Sequence, residues 1–441
     1  MKKWILIIFI AFAIQAQAQF SVQDIRIGDT TVSYLDFEFW QQGNRFCFQD
    51  ENNFGYVGLI DSLTGDLVSA SGKDYLFDNT LAPITQSING SEWGYRRGGA
   101  GVFYTKQTAT NRSIGKATWN GVGYGISDLS SSLVGRRFAT ICSKNNSDTS
   151  PNLVYAKGNN ILNFSLNWSA ANNPVSDIPV PYGANSSSGA RFIDGEQALL
   201  TNDAVNGYTQ IFRYDLGSSN LTQLTFDAGN KIDAFIWNAP DYGNSQLLYC
   251  TVNDTILRLY QKIGNTFNFV YDIQIPDTSY HYYFSAEPFV FQNNSCLFLC
   301  AATEKFIPGS QNNSKPADVW IVALDATQPY FRKVSDNRIA LRLDPEVFIT
   351  PTEAFIYYYE YYQSGNVHPV AMHKCSLGLG STPLSTSNIQ VKSLSLKIFP
   401  NPANSSINIS SDKTLNQISI YNSDYLEKFC KCAILKNRLS Q

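Results

Sequence analysis

The chain has 441 residues, with 33 Lys and Arg against 36 Asp and Glu, for a formal charge of −3. Near-neutrality without a long basic run excludes a nucleic-acid footprint. Charged residues make up only 16% while 25 Tyr and 28 Phe are present, a composition suited to pleated, half-buried surfaces and therefore to an all-β fold.

In chain order, Lys2 and Lys3 precede an apolar run from Ile5 to Ile14 and a small-x-small site at Ala16-Gln17-Ala18. This is the pattern of a signal peptide over 1–18, with a mature chain from Gln19. No later apolar stretch is long enough to span a bilayer, so the mature chain is expected to carry no transmembrane segment. The eight Cys (47, 142, 250, 296, 300, 375, 430 and 432) lack both a CxxC pair and the dense spacing of a disulfide scaffold. Buried free thiols are expected for most, and no thiolate zinc site.

A short apolar or aromatic strand then recurs. It starts at 45, 101, 152, 198, 246, 296 and 354, so successive starts differ by 56, 51, 46, 48, 50 and 58 residues. Typical copies are Gln246-Leu-Leu-Tyr-Cys250 and Ala354-Phe-Ile-Tyr-Tyr358. A second strand follows most copies, as in Gln210-Ile-Phe-Arg-Tyr214 and Val319–Leu324, with a poor match around Ser113–Trp119. Turn residues such as Asp61-Ser-Leu-Thr-Gly65 come next, then a third strand such as Leu221-Thr-Gln-Leu-Thr225. Another β-rich segment precedes several copies, as in Ala234-Phe-Ile-Trp237 and Pro288-Phe-Val-Phe291. A four-stranded unit at a period near fifty reads as a β-propeller blade. Seven blades over 19–375 are expected, with six or eight within the boundary error; a stacked β-sandwich array is the competing architecture.

The clearest units, Gln210-Ile-Phe-Arg-Tyr-Asp-Leu216 with Leu221-Thr-Gln-Leu-Thr225, and Asp318-Val-Trp-Ile-Val-Ala-Leu-Asp325 with Arg332-Lys-Val-Ser335, resemble TolB-type propeller repeats. The Ser-Pro-Asp-Gly turn of that pattern is missing. The resemblance implies a fold and leaves activity open.

A Ser-, Gly-, Thr- and Pro-rich stretch over 376–392 reads as a linker. After it come Leu394-Ser-Leu-Lys-Ile-Phe-Pro-Asn-Pro-Ala403, Ser406-Ile-Asn-Ile-Ser410 and Gln417-Ile-Ser-Ile-Tyr-Asn422. The motif Phe399, Pro400, Asn401, Pro402, Ala403, with the alternating strands behind it, closely resembles the type A C-terminal sorting domain of the type IX secretion system. That resemblance implies a small β-sandwich over 393–441, the type IX secretion machinery as a partner, and export through the periplasm to the medium or the outer-membrane surface. From Tyr425 the tail departs from the family pattern and lacks its Gly-containing turn, so the sandwich is read as incomplete, as after a frameshift or truncation.

Chemical motifs are few. The three His (281, 368, 373) are scattered, no Walker or EF-hand pattern occurs, and Gly98-Gly-Ala-Gly101 precedes a strand and not a helix. No cofactor and no metal is expected. Acids do recur just before the repeated strand, at Glu92-Trp93, Asp233-Ala-Phe235, Glu287-Pro-Phe289 and Asp344-Pro-Glu346. If these begin inner strands, their carboxylates converge on the channel mouth. The alternative is that they accept backbone hydrogen bonds at turns. Dense Tyr runs at Tyr280–Phe284 and Tyr357–Tyr362 suit either packing between blades or sugar contacts.

Three functions remain open at this stage. The first is an exported binding module whose partner is a polysaccharide or surface protein. The second is a glycoside hydrolase-like enzyme using Glu287, Asp344, Glu346 and Asp233. The third is a structural surface component.

Overall fold

The computed structural model describes residues 23–83, 90–96, 99–107, 112–129, 135–142, 152–160, 163–170, 176–180, 191–193, 198–305, 316–361, 370–376, 396–399 and 408–411. The chain divides into two compact units, Met1–Ser385 and Thr386–Gln441.

The first unit is a seven-bladed β-propeller. Each blade is a four-stranded antiparallel sheet whose strands are lettered a to d. Blade 1 comprises Leu35–Trp40, Arg45–Gln49, Gly55–Leu59 and Tyr75–Asp78. Blade 2 comprises Glu92–Arg96, Gly99–Gln107, Arg112–Trp119 and Tyr124–Asp128. Blade 3 comprises Arg136–Cys142, Asn152–Asn160, Asn163–Ala170 and Ile178–Pro179. Blade 4 comprises Arg191–Phe192, Ala198–Val205, Tyr208–Asp215 and Leu221–Gln223. Blade 5 comprises Lys231–Ala239, Ser245–Val252, Ile256–Ile263 and Thr266–Ile273. Blade 6 comprises Tyr282–Phe291, Asn294–Ala302, Ala317–Leu324 and Pro329–Lys333. Blade 7 takes strands a to c from Leu341–Ile349, Ala354–Tyr361 and Ala371–Ser376, and its strand d from the other end of the unit, Gln23–Ile27. Strands a touch from blade 5 through blades 6, 7, 1, 2 and 3 to blade 4, the pair of blades 7 and 1 included, and strand a of blade 5 meets strands b and c of blade 4, so the a strands surround a central channel.

The repeated strand of the sequence is strand b. Its continuous apolar run has a physical cause: side chains alternate between the two faces of a sheet, and here both faces are covered. Leu297, Leu299 and Ala301 pack towards blade 5, while Cys296, Phe298 and Cys300 pack towards blade 7. In blade 7, Tyr357 and Tyr359 face blade 1 and Ile356 and Tyr358 face blade 6. The core is therefore a set of seven apolar clusters, one at each seam between blades. Tyr357, Tyr358 and Tyr359 belong to these seams; Tyr362 lies outside the described residues. Cys47, Cys250, Cys296, Cys300 and Cys375 are buried free thiols in the same clusters. Ser113–Trp119, a weak match in sequence, belongs to a regular strand c. The Asp61 turn forms as its residues dictate, with Asp61 Oδ1 accepting the Leu63 and Thr64 N–H groups at 2.8 Å each.

The last seam closes the ring. Gln23–Ile27 pairs with Met372–Ser376. The Gln41 amide donates to the Val347 carbonyl at 2.7 Å and accepts the Ile349 N–H at 2.9 Å, tying blade 1 to blade 7. Asp24 is the polar centre of the closing strand. It accepts from Tyr358 Oη at 2.5 Å and from the Asp336 N–H at 2.7 Å, and its Oδ1 lies 2.9 Å from His373 Nδ1. Burial pushes this carboxyl up, but the hydrogen bonds and the His373 charge outweigh it and hold Asp24 below the usual range. Beside it, fully buried Arg342 pairs with Asp318 (2.7 Å), Asp336 (2.6 Å) and Glu360 (3.3 Å).

In the second unit, Leu396–Phe399 and Asn408–Ser411 form an antiparallel pair, with Phe399 opposite Asn408. The signal segment 1–18, Pro400–Ala403, Ile418–Asn422 and the tail lie outside the described residues. So does most of the 376–392 linker; its first residue, Ser376, is instead the last residue of a blade 7 strand.

Asp24→Ala should destabilise the propeller by about 3–5 kcal/mol, because it strands buried donors and an imidazole without their acceptor. Ile25→Ser, on the same strand but 44% exposed, should cost little. Urea unfolding of both variants measures the difference.

A candidate ligand site in the central channel

Strand a carries the same irregularity in several blades. The pairing register with strand b shifts between Leu35 and Glu38, Ile232 and Phe235, Phe284 and Glu287, and Leu343 and Glu346. At each shift one residue adopts a left-handed conformation: Asp36 (φ 50°), Asp233 (φ 52°), Ser285 (φ 46°) and Asp344 (φ 53°). Asp tolerates this region better than most side chains. The next residue, Phe37, Ala234, Ala286 or Pro345, is buried in the blade. The residues on either side of it, such as Asp36 and Glu38 or Asp344 and Glu346, are thereby left on the opposite side of the strand.

The result is a ring of carboxyls drawn from different blades. Asp36 interacts with Asp344 and Glu92, and Glu38 with Glu346, Glu92, Glu287 and Asp344. Blades 1, 2, 6 and 7 can meet in this way only around the central axis. The acids singled out in the sequence, Glu92, Asp233, Glu287, Asp344 and Glu346, thus belong to one site. Asp36, Glu38 and Arg191 belong to it as well and were not singled out. The spacing Asp-x-Glu, shared by Asp36-Phe-Glu38 and Asp344-Pro-Glu346 ahead of strand b, is the signal that marks the first two.

Arg191, on strand a of blade 4, brings a cation to this ring. Its Nη1 lies 2.9 Å from Glu287 Oε1, and its guanidinium stacks over Phe235 at 3.9 Å from the ring centre. Phe235 in turn stacks on Tyr249 at 5.4 Å, and Tyr249 Oη donates to the Ala286 carbonyl in the bulge of blade 6. Burial lowers the Arg191 pKa, but Glu287, Tyr249, Glu92 and Asp233 more than restore it, so the group stays charged.

The remaining carboxyls are not so provided for. Asp36 accepts the Ser91 N–H at 3.1 Å. Glu38, Asp344 and Glu346 have no hydrogen-bond or ion-pair partner for their carboxyls among the described residues. Desolvation comes first and neighbouring carboxylates second in raising Asp36, Glu38 and Glu346 well above the usual range. Asp344 is pushed up to about 7 by burial and by Glu287, with Arg191 opposing. The channel therefore sets carboxyls that hold their protons beside Glu287, which faces a fixed cation. Among the described residues no group of His, Cys, Asp and Glu has the arrangement of a metal site.

His281 and His373 stand apart from this ring, and His373 belongs to the closing seam; His368 lies outside the described residues. Gly99 to Gly101 lie within a strand, which is no phosphate cradle. A groove of about 560 Å³ between blades 4 and 5, lined by Arg213, Gln246, Lys262 and Phe267 among others, contains none of the channel acids.

Protonated channel acids imply a pH dependence of stability. In the native protein Asp344 keeps its proton up to about 7, whereas the unfolded chain gives it up near the ordinary Asp value. Between those limits the native state binds more protons, so stability should fall as pH rises from about 4 to about 7. Asp344→Asn should flatten that slope, as read from chemical unfolding across the range.

No protein-family model matches the chain, and comparison with curated proteins gives no match. Among solved structures, the β-propeller domain of Cps50 (Swd1) from Myceliophteria thermophila is similar with a TM-score of 0.47 and 11% identity, covering 80% of this chain and 98% of that one. The WD40 domain of SCAP from fission yeast gives 0.43 and 9%, covering 80% and 98%. A protein of unknown function from Dyadobacter fermentans gives 0.40 and 7%, again covering 80% and 98%. At such identities these likenesses concern fold alone.

Proposed function

We propose that this chain is an exported propeller that works as a binding module, with the carboxyl ring of the central channel as its contact site. The observation that carries the reading is the set Glu38, Asp344 and Glu346, three channel carboxyls without a partner among the described residues. An unsatisfied, half-buried polar group costs stability, so its retention calls for an occupant outside the chain. Export rests on the resemblance of 1–18 to a signal peptide and of Phe399–Ala403 to the type IX sorting motif. In this reading the chain is released to the medium or held on the outer-membrane surface, where its partner is a polysaccharide or a surface protein.

A second reading is favoured by one feature of the same ring. Glu287 is ion-paired with a fixed guanidinium while burial and neighbouring carboxyls push Asp344 and Glu346 up, so an ion-paired carboxyl and two proton-holding ones share the channel. Glycoside hydrolysis needs that division of labour.

Two experiments test these proposals. In a host with a type IX system, deletion of 393–441 should leave the protein in the periplasm while the full chain reaches the surface or medium; equal surface delivery would remove the export proposal. Incubation with polysaccharides and aryl glycosides should show retention without turnover. Turnover that falls about a thousandfold in Glu287→Gln would instead establish the enzyme.

A further inference from the structure

Two clusters of buried charge in this propeller are built differently. At the seam of blades 6 and 7, Asp24, Asp318, Asp336 and Glu360 are met by Arg338, Arg342, Lys333 and His373 through ion pairs of 2.5 to 3.8 Å. Each acid there has a basic partner. In the channel, Arg191 pairs with Glu287 and acts on Glu92, Asp233, Asp344 and Glu346, whereas Asp36 and Glu38 face chiefly other carboxyls. Glu346 is only 9% exposed, aims into this ring and has no partner among the described residues.

The chain thus neutralises buried acids where it needs them for closure and leaves Glu38, Asp344 and Glu346 without an ion-pair partner among the described residues in the channel. Arg191 shows what the ring accepts. A guanidinium on an aliphatic stem lies flat on Phe235 with its edge on Glu287, which combines a cation–π contact with a charge-assisted hydrogen bond. The acids of blades 1 and 7 offer carboxyl oxygens on the other side with no such cation in place. A bare divalent ion fits less well, since no metal-site arrangement occurs among the described residues.

We infer that the channel binds an organic cation, an ammonium or guanidinium group on a slim aliphatic stem, seated among Glu38, Asp344 and Glu346. The inference rests on the channel being the contact site and adds the chemistry of its occupant. On entry of the cation, carboxyl O–H groups of the ring lose protons to the buffer, and the carboxylates formed pair with the ligand. Arg191 is an internal competitor for the same ring.

The test is calorimetric titration of the full chain with agmatine, with an acetylated tetra-arginine peptide, with calcium and with a neutral oligosaccharide. Agmatine or the peptide should bind, and which of them binds more tightly tells a free amine from a side chain carried by a partner. Titration in buffers of different ionisation enthalpy should show proton release, and affinity should rise at least tenfold from pH 5.5 to pH 8. Glu346→Gln and Glu38→Gln should each weaken binding at least tenfold without lowering the melting temperature, since each removes a repelled carboxyl. Arg191→Gln should tighten it. Binding of calcium alone, no cation binding, or binding indifferent to both Gln variants would overturn the inference. A neutral oligosaccharide bound in the channel, sensitive to Glu346→Gln while the cations fail, would overturn it yet leave the binding-module reading standing. Ligand retention indifferent to every channel variant would remove that reading too.

Discussion

Every blade depends on being covered by its two neighbours. A single four-stranded sheet of these sequences would expose two apolar faces, and strand b shows this most plainly: Leu297 and Leu299 need blade 5, while Phe298 and Cys300 need blade 7. The hydrophobic term is thus spread over seven seams and has no central oil drop. It follows that the ring must close, because an open array would leave one face of blade 1 and one of blade 7 in water. The closing seam is where the chain concentrates its directional chemistry. The Gln41 side chain makes two hydrogen bonds to the blade 7 backbone, and Asp24 sits among Tyr358, His373 and the Asp336 N–H. Apolar contact alone would tolerate a slipped strand d; these bonds fix one register.

Closure by seams also explains why the axis is free to carry polar groups. The core lies between blades and not along the channel, so strands a can turn carboxyls inward without opening an apolar cluster. The left-handed residues at Asp36, Asp233, Ser285 and Asp344 perform that turn. They send Phe37 or Pro345 into the blade and leave the flanking acids on the other side. Backbone strain and electrostatic cost therefore fall on the same few residues.

Much of this architecture was legible in the sequence because its cause is local. A strand covered on both faces reads as an unbroken apolar run, and Cys296–Cys300 or Ala354–Tyr358 announce themselves at a steady interval. The acids ahead of them were legible too, since Asp344-Pro-Glu346 breaks an apolar neighbourhood. Asp36 and Glu38 escaped notice because Phe37, Phe39 and Trp40 around them read as an ordinary alternating strand. Arg191 escaped because its strand is only two residues long, and its role is set by Glu287 and Phe235 from blades 6 and 5. Such contacts join residues far apart in the chain, and no periodicity encodes them. Nor could the sequence distinguish the two charge clusters: the acids at 318, 336 and 360 look no different in the chain from those at 287, 344 and 346. Only the fold assigns bases to the first group and, in the second, pairs Glu287 with Arg191 while leaving Asp344 and Glu346 without an ion-pair partner among the described residues.

That difference bears on what the channel is for. Residues that break local rules at a cost to stability persist when something outside the fold repays them. The seam network around Arg342 breaks no such rule, for each of its acids faces a basic side chain and its role ends with closure. The channel breaks two at once, placing non-glycine residues at positive φ and carboxyls side by side in a buried site. A structural explanation would need only one neutral side chain at each site; Asn at 36 and 344 would tolerate the same backbone as Asp, and Gln at 38 and 346 would fill the same space without repulsion. Carboxyls in preference to amides therefore add nothing to folding. What they add is a proton to give or a charge to offer, the two properties on which the proposed binding site rests.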